Sequence, residues 1–202
     1  MSDLFQPGVP DSYIEDVVRV MVEANWHTYQ VLTKRSQRLR DMLNGPLRFA
    51  AHHTHIWWGV SIEDKRYGLP RVEHLRNAPA AVRFLSIEPL LEELGSFDIS
   101  GIHWAIVGGE SGRGARPMKQ QWVENILRIC RDEKVAFFFK QWGGVHKTLR
   151  GRRLHRRTYD ANPMPSRHQR STAATVWDER STRWVYPANT SPLVFLQPAV
   201  AV

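Results

Sequence analysis

Five short apolar runs alternate with stretches of helical periodicity, and this alternation limits the fold more than any other feature of the chain. The runs are Thr28–Thr33, Ile56–Ile62, Val82–Ile87, His103–Val107 and Val135–Phe139. Each has the length and the β-branched or aromatic content of a buried strand. Between them, Ile14, Val17, Val18, Met21 and Val22 fall on one helical face, preceded by Ser12 and Glu15 at capping-box spacing. Leu39, Met42 and Leu43 face inward on a second helix that stops at Asn44-Gly45-Pro46. Pro70 can open a third that buries Val72 and Leu75, and Trp122, Val123, Ile126, Leu127 and Cys130 mark a fourth. Strands alternating with helices predict a parallel sheet with right-handed crossovers, so every strand should end on the same rim. The fold class is therefore α/β, about five parallel strands with flanking helices, followed by an irregular C-terminal tail.

That shared rim is where the sequence places its chemistry. The runs end in Lys34, in Glu63 and Asp64, in Glu88, in Gly108-Gly109-Glu110 with Arg116 beyond, and in Lys140 and Gln141. Parallel α/β folds bind ligands at strand C-termini, which makes these ten residues the candidate ligand-binding set. The loop from Gly108 to Arg116 is the most suggestive, because its four glycines let a ligand approach main-chain N–H groups closely. A plain strand-to-helix turn would have the same composition. Glu110 and Lys140, on consecutive strands, are candidates for direct ligand contact, and an ion pair with a structural role fits them nearly as well. No residue is assigned a catalytic role.

Charge and cysteine content narrow the classes further. The net charge of +8 belongs to the end of the chain: residues 143–202 hold 10 Lys/Arg against 3 Asp/Glu, whereas residues 1–142 hold 18 against 17. The stretch from Lys147 to Arg157 could contact nucleic acid phosphates, although a solvated face explains it as well. The expected organisation is a core over 1–143, a basic extension over 144–165, and a disordered or loosely packed Ser/Thr/Arg-rich tail over 166–202. With one cysteine, Cys130, there is neither an internal disulfide nor a multi-cysteine metal site. No apolar run approaches a membrane span and no secretory signal is visible, so the expected compartment is the cytoplasm. His52-His53-Thr54-His55 could bind metal by composition, but it precedes its strand on the rim away from the other candidates. Trp57, Trp58 and Trp104 lie within strands and read as core. No Walker loop, dinucleotide fingerprint or paired zinc spacing occurs.

Several segments in one order carry a family resemblance. They are Ser2-Asp3-Leu4-Phe5, Gln30 to Arg35, Gly59 to Asp64, Glu88-Pro89-Leu90-Leu91, Val107 to Gly112, Ala115-Arg116-Pro117-Met118 and Phe137 to Gly143, with a weaker last piece from Gly151 to Pro163. Over about residues 1–165 the chain resembles a bacterial and phage family of unknown function that is itself similar to radical S-adenosylmethionine barrels. The resemblance implies a partial TIM-type (β/α) barrel, since five strands are fewer than the eight of a full barrel of ~250 residues. It also implies a [4Fe–4S] cluster and S-adenosylmethionine in the full-length family, held by an N-terminal cysteine cluster that this sequence lacks. No cofactor is expected for this chain by itself. Gly108-Gly109-Glu110 is similar to the Gly-Gly-Glu that holds the amino group of S-adenosylmethionine in radical enzymes, but it comes too late in the chain, and the likeness is taken as coincidental. The resulting expectation is the C-terminal part of a radical S-adenosylmethionine-like barrel, inactive alone. The alternatives are a nucleic-acid-associated module and a subunit completed by a cysteine-bearing partner chain. The pattern further suggests that Met1 is an internal methionine of a longer ancestral frame.

Overall fold

The structure, a computed structural model, describes residues 3–145 and 151–163 and two short strands further on, 176–178 and 183–185. Strands β1 (Tyr29–Thr33), β2 (Ile56–Ser61), β3 (Val82–Ile87), β4 (Trp104–Gly108) and β5 (Ala136–Gln141) form one sheet in chain order, every neighbouring pair parallel. Helices α1 (Asp11–Glu23), α2 (Ser36–Asn44), α3 (Lys65–Arg76) and α4 (Gln120–Asp132) alternate with them. The expected α/β class and parallel sheet are thus observed. Closure into a barrel is a separate matter that these five strands neither show nor exclude.

Two cores lie on the two faces of the sheet. The larger one joins Ile14, Val18 and Met21 of α1, Leu39, Met42 and Leu43 of α2, Val72 and Leu75 of α3, and Val123, Ile126, Leu127 and Cys130 of α4. Against them sit Val31, Trp58, Val60, Leu85, Ile87, Ala105, Val107, Phe137 and Phe139 from the strands. The second core holds the alternate strand residues Trp57, Val82, Phe84, Trp104, Ile106 and Ala136, with Leu32 and Phe138 beside them and no helical residue. Period-two alternation explains the split. All four helices therefore cover one face, as right-handed crossovers between consecutive neighbours require. Aromatic edges fill the helix-free face: the rings of Trp57 and Phe138 each meet Trp104 edge-on, at 5.7 and 6.0 Å.

Two helix starts differ from the sequence expectation. Ser12 and Glu15 form no capping box, because α1 begins at Asp11 with Pro10 at the N-cap and no side-chain cap. Pro10, extended at φ −61°, already sets the entry geometry and leaves Ser12 inside the first turn. Pro70 does not open α3. The helix starts five residues earlier, where the Asp64 carboxylate accepts from Tyr67 N at 2.6 Å, and Pro70 lies within it.

The residues expected to extend the core do more than follow it. From 157 to 161 the chain runs antiparallel beside β5, Phe139 N donating to the Tyr159 carbonyl at 2.9 Å and Ala161 N to that of Phe137 at 3.3 Å. Leu154 and Tyr159 enter the helix-side core and Ala161 the other. Within the expected tail, β6 (Val176–Asp178) and β7 (Arg183–Val185) pair antiparallel, and the remainder of that segment lies outside the described residues.

Candidate functional site

Lys34, Glu63, Glu88, Glu110 and Lys140 all lie at the C-terminal ends of parallel strands, hence on one rim. Counting by twos from the second core gives their face. Lys34 follows Leu32, Glu63 follows Trp57 and Ser61, Glu88 follows Phe84 and Ser86, and Lys140 follows Ala136 and Phe138. The charges therefore cap the helix-free face, with Leu32, Ser61, Ser86 and Phe138 next beneath them and the aromatic side chains of Trp57, Phe84 and Trp104 deeper.

The rim is organised as three ion-paired carboxylates. Glu63 is buried, and its two oxygens are held from both sides, by Lys34 Nζ at 2.5 Å and Arg71 Nη1 at 2.8 Å. Arg71 also donates to the Ser61 carbonyl at 2.7 Å, which fixes α3 to the end of β2. Glu88 pairs with Lys140 at 3.1 Å, although these residues sit on β3 and β5 with β4 between them. Two features make the crossing possible. A Cβ on Gly108 of β4 would lie 2.5 Å from Glu88 Oε1, so the carboxylate occupies the space a side chain would need. The ladder is also bulged here: Val107 pairs with Phe139 but Gly108 with Gln141, which leaves Lys140 unpaired and aimed across β4.

Glu110 forms the third pair. Arg116 grips it with both Nη2 and Nε, at 2.7 and 2.8 Å, and adds its backbone N–H at 2.8 Å. These bonds favour the ionised form and hold the carboxyl at about 2, well below its ordinary 4.5. Whatever stability this pair adds is complete above the ordinary value and is lost as pH falls through about 2. Gly109 is pressed against its neighbour, for a Cβ there would come within 2.1 Å of the Trp142 carbonyl. Gln141 donates to Ser111 Oγ at 2.7 Å. Asp64 is the α3 N-cap described above.

The structure thus brings Lys34 to Glu63 and Lys140 to Glu88, and joins Glu110 to Arg116. It does not bring Glu110 to Lys140. Sequence reasoning missed Arg71, whose only signal is a position two turns into α3 after Glu63-Asp64. It also missed Asp3, whose carboxylate accepts from Thr33 Oγ1 at 2.7 Å and Lys34 N at 3.1 Å and so anchors the end of β1. Ser61 and Ser86 were missed as well. They are register partners on the helix-free face, each more than nine-tenths buried, and neither hydroxyl has a hydrogen-bond partner among the described residues.

The other candidates sort plainly. His53 and His55 rings lie 5.4 Å apart, His55 Nε2 is 3.0 Å from the Met21 carbonyl, and among the described residues no group of three His, Cys, Asp or Glu could hold a metal. Cys130 is buried in α4, where burial pushes its thiol far up. In the basic stretch, residues 147–150 lie outside the described residues. Arg152 pairs with Asp160 over the Phe138 ring, and His155 meets Glu124 at 2.9 Å. No helix among the described residues is long and apolar enough to cross a membrane.

Residues 1–163 match the family described as "Protein of unknown function (DUF5131)", and the chain belongs to that family. No curated protein and no solved structure matches it.

Proposed function

We propose that this DUF5131 member is the ligand-holding, C-terminal part of a radical S-adenosylmethionine-like barrel, inactive in cluster chemistry by itself. The observation that carries the reading is the layering at the rim. Two serine hydroxyls without partners, those of Ser61 and Ser86, open onto the face beneath the Glu63 and Glu88 ion pairs, the face that a barrel turns inward. Buried polar groups are nearly always bonded, and Gln30 Nε2, buried on the same face beside Trp57, is not, which is the expected state of a site awaiting a polar ligand. β1 pairs only with β2 among the described residues, which leaves an edge that further strands, from elsewhere in a longer chain or from a cysteine-bearing partner, would cover.

A [4Fe–4S] cluster needs several thiolates, and the one cysteine of this chain is buried in a helix on the other side of the sheet. The residues present do not fit the group.

The test has two arms on the intact chain. After anaerobic reconstitution with iron, sulfide and reductant, no [4Fe–4S] absorption and no cleavage of S-adenosylmethionine are expected, and a stoichiometric cluster would overturn the second half of the proposal. In urea titrations, Ser61→Ala and Ser86→Ala should leave stability unchanged or raise it, because residues kept for a ligand are not bonded within the fold. A loss beyond ~1 kcal/mol from either would assign the hydroxyls a structural role and overturn the first half.

A further inference from the structure

Beside the rim, where α2, α3 and the N-terminal segment meet it, lies an open cavity of about 890 Å³. Its cationic wall is Lys34, Arg35, Arg38 and Arg71, with His74 beside them, against Asp11 and Asp41. The cations are not equivalent. Arg38 is consumed in strapping the N-terminal segment, donating to the Phe5 and Val9 carbonyls and pairing with Asp11. Lys34 and Arg71 share the single carboxylate of Glu63, so two positive charges face one negative charge there. The Arg35 guanidinium has no partner among the described residues. His74 is oriented by its Nδ1 contact with buried Ser36 Oγ at 2.9 Å, which leaves its Nε2 for another group.

We propose that this cavity binds a small phosphorylated molecule, its phosphate on Arg35 with Lys34 and Arg71 behind it and its body against the apolar wall of Met42, Pro46 and Pro70. The positive excess selects an anion. The guanidinium fork of Arg35 matches a phosphate better than a point charge would. No side chain caps the start of α2 at Ser36, so the dipole of that helix adds to the same field. The apolar wall and the volume, within the range of small-molecule sites, admit a ligand larger than the bare ion. The site is distinct from the proposed ligand position on the helix-free face and does not depend on it. The two are neighbours through Lys34 and Arg71, since a phosphate here would compete with Glu63 for both.

The experiment measures binding of inorganic phosphate, adenosine 5′-monophosphate and adenosine to the full chain by calorimetry, with the His74 imidazole followed by NMR. Expected are binding of phosphate, tighter binding of the monophosphate, none of adenosine, and a shift of the His74 signals on saturation. Arg35→Ala removes no internal contact and should weaken the monophosphate at least ~10-fold, the value of one charged hydrogen-bonding pair. Arg131→Ala, on the exposed side of α4, should leave it unchanged. Absence of phosphate binding at millimolar concentrations, or equal effects of the two variants, would overturn the proposal. So would adenosine binding as tightly as its monophosphate.

Discussion

Gly108 and Gly109 are neighbours with different reasons for being glycine, and a methyl group added at each should separate them. At Gly108 the obstacle is the end of the Glu88 side chain, 2.5 Å from the added carbon, and a flexible carboxylate can swing away. At Gly109 the obstacle is the Trp142 backbone at 2.1 Å, with the Gly143 nitrogen at 3.3 Å, and Gly143 itself sits at φ 73° close to the Glu110 carbonyl. Gly108→Ala should therefore cost about 1 kcal/mol, chiefly by parting Glu88 from Lys140, a half-buried pair. Gly109→Ala forces two chain segments apart and should cost ~3 kcal/mol, at the upper end of overpacking penalties. Urea denaturation of both variants checks the order, and equal costs would contradict the packing described. The sequence marks both glycines as places where something comes close. It cannot say that the visitor is the chain's own carboxylate and carbonyl, because that depends on β3, β4 and β5 lying side by side.

At the scale of elements, periodicity was enough to locate all five strands and most inward residues of α1, α2 and α4, since buried faces must be apolar at the period of the element. α3 was misplaced because its own residues resemble a loop. Gly68 and Pro70 are breakers on local propensity, yet Gly68 lies in the helix where a Cβ would meet Ile62 Cγ2 at 2.6 Å, so glycine lets α3 pack closely onto the end of β2. Tertiary packing outweighs propensity here, and the helix start is signalled instead by Asp64, a member of the candidate ligand set. The rim pairs were only partly legible. That charges collect there follows from chain order, whereas Lys140 reaching Glu88 depends on a bulge that no local pattern encodes. Asp64→Ala should destabilise by ~1 kcal/mol, as loss of an N-cap does, while Ser12→Ala should be neutral within ~0.5 kcal/mol. Thermal or urea unfolding measures both, and a costly Ser12→Ala would restore the capping box that the structure lacks.

For the molecule as a whole, the open question is which segments share one cooperative unit. Charge alone divides the chain near residue 143 and leaves the following stretch looking like a solvated tail or an arm for phosphates. The structure ties part of that stretch into both cores. Leu154 is fully buried, Tyr159 is 2% exposed with its ring edge-on to Phe137 at 5.5 Å, and Trp104 Nε1 donates to the Ala161 carbonyl at 2.7 Å. Residues 157–161 also cover the outer edge of β5, which would otherwise present unpaired N–H and C=O groups. A segment that seals an edge and fills a core should unfold together with the sheet. Leu154→Ala and Tyr159→Ala should each cost ~3 kcal/mol, the usual range for emptying a packed site, and should lower the midpoint of a single transition followed by tryptophan fluorescence. A detachable arm would behave differently: the same substitutions would leave the main transition where it is, with any loss confined to a separate transition at low denaturant. Observing that second pattern would return residues 151–163 to the status their composition first suggested.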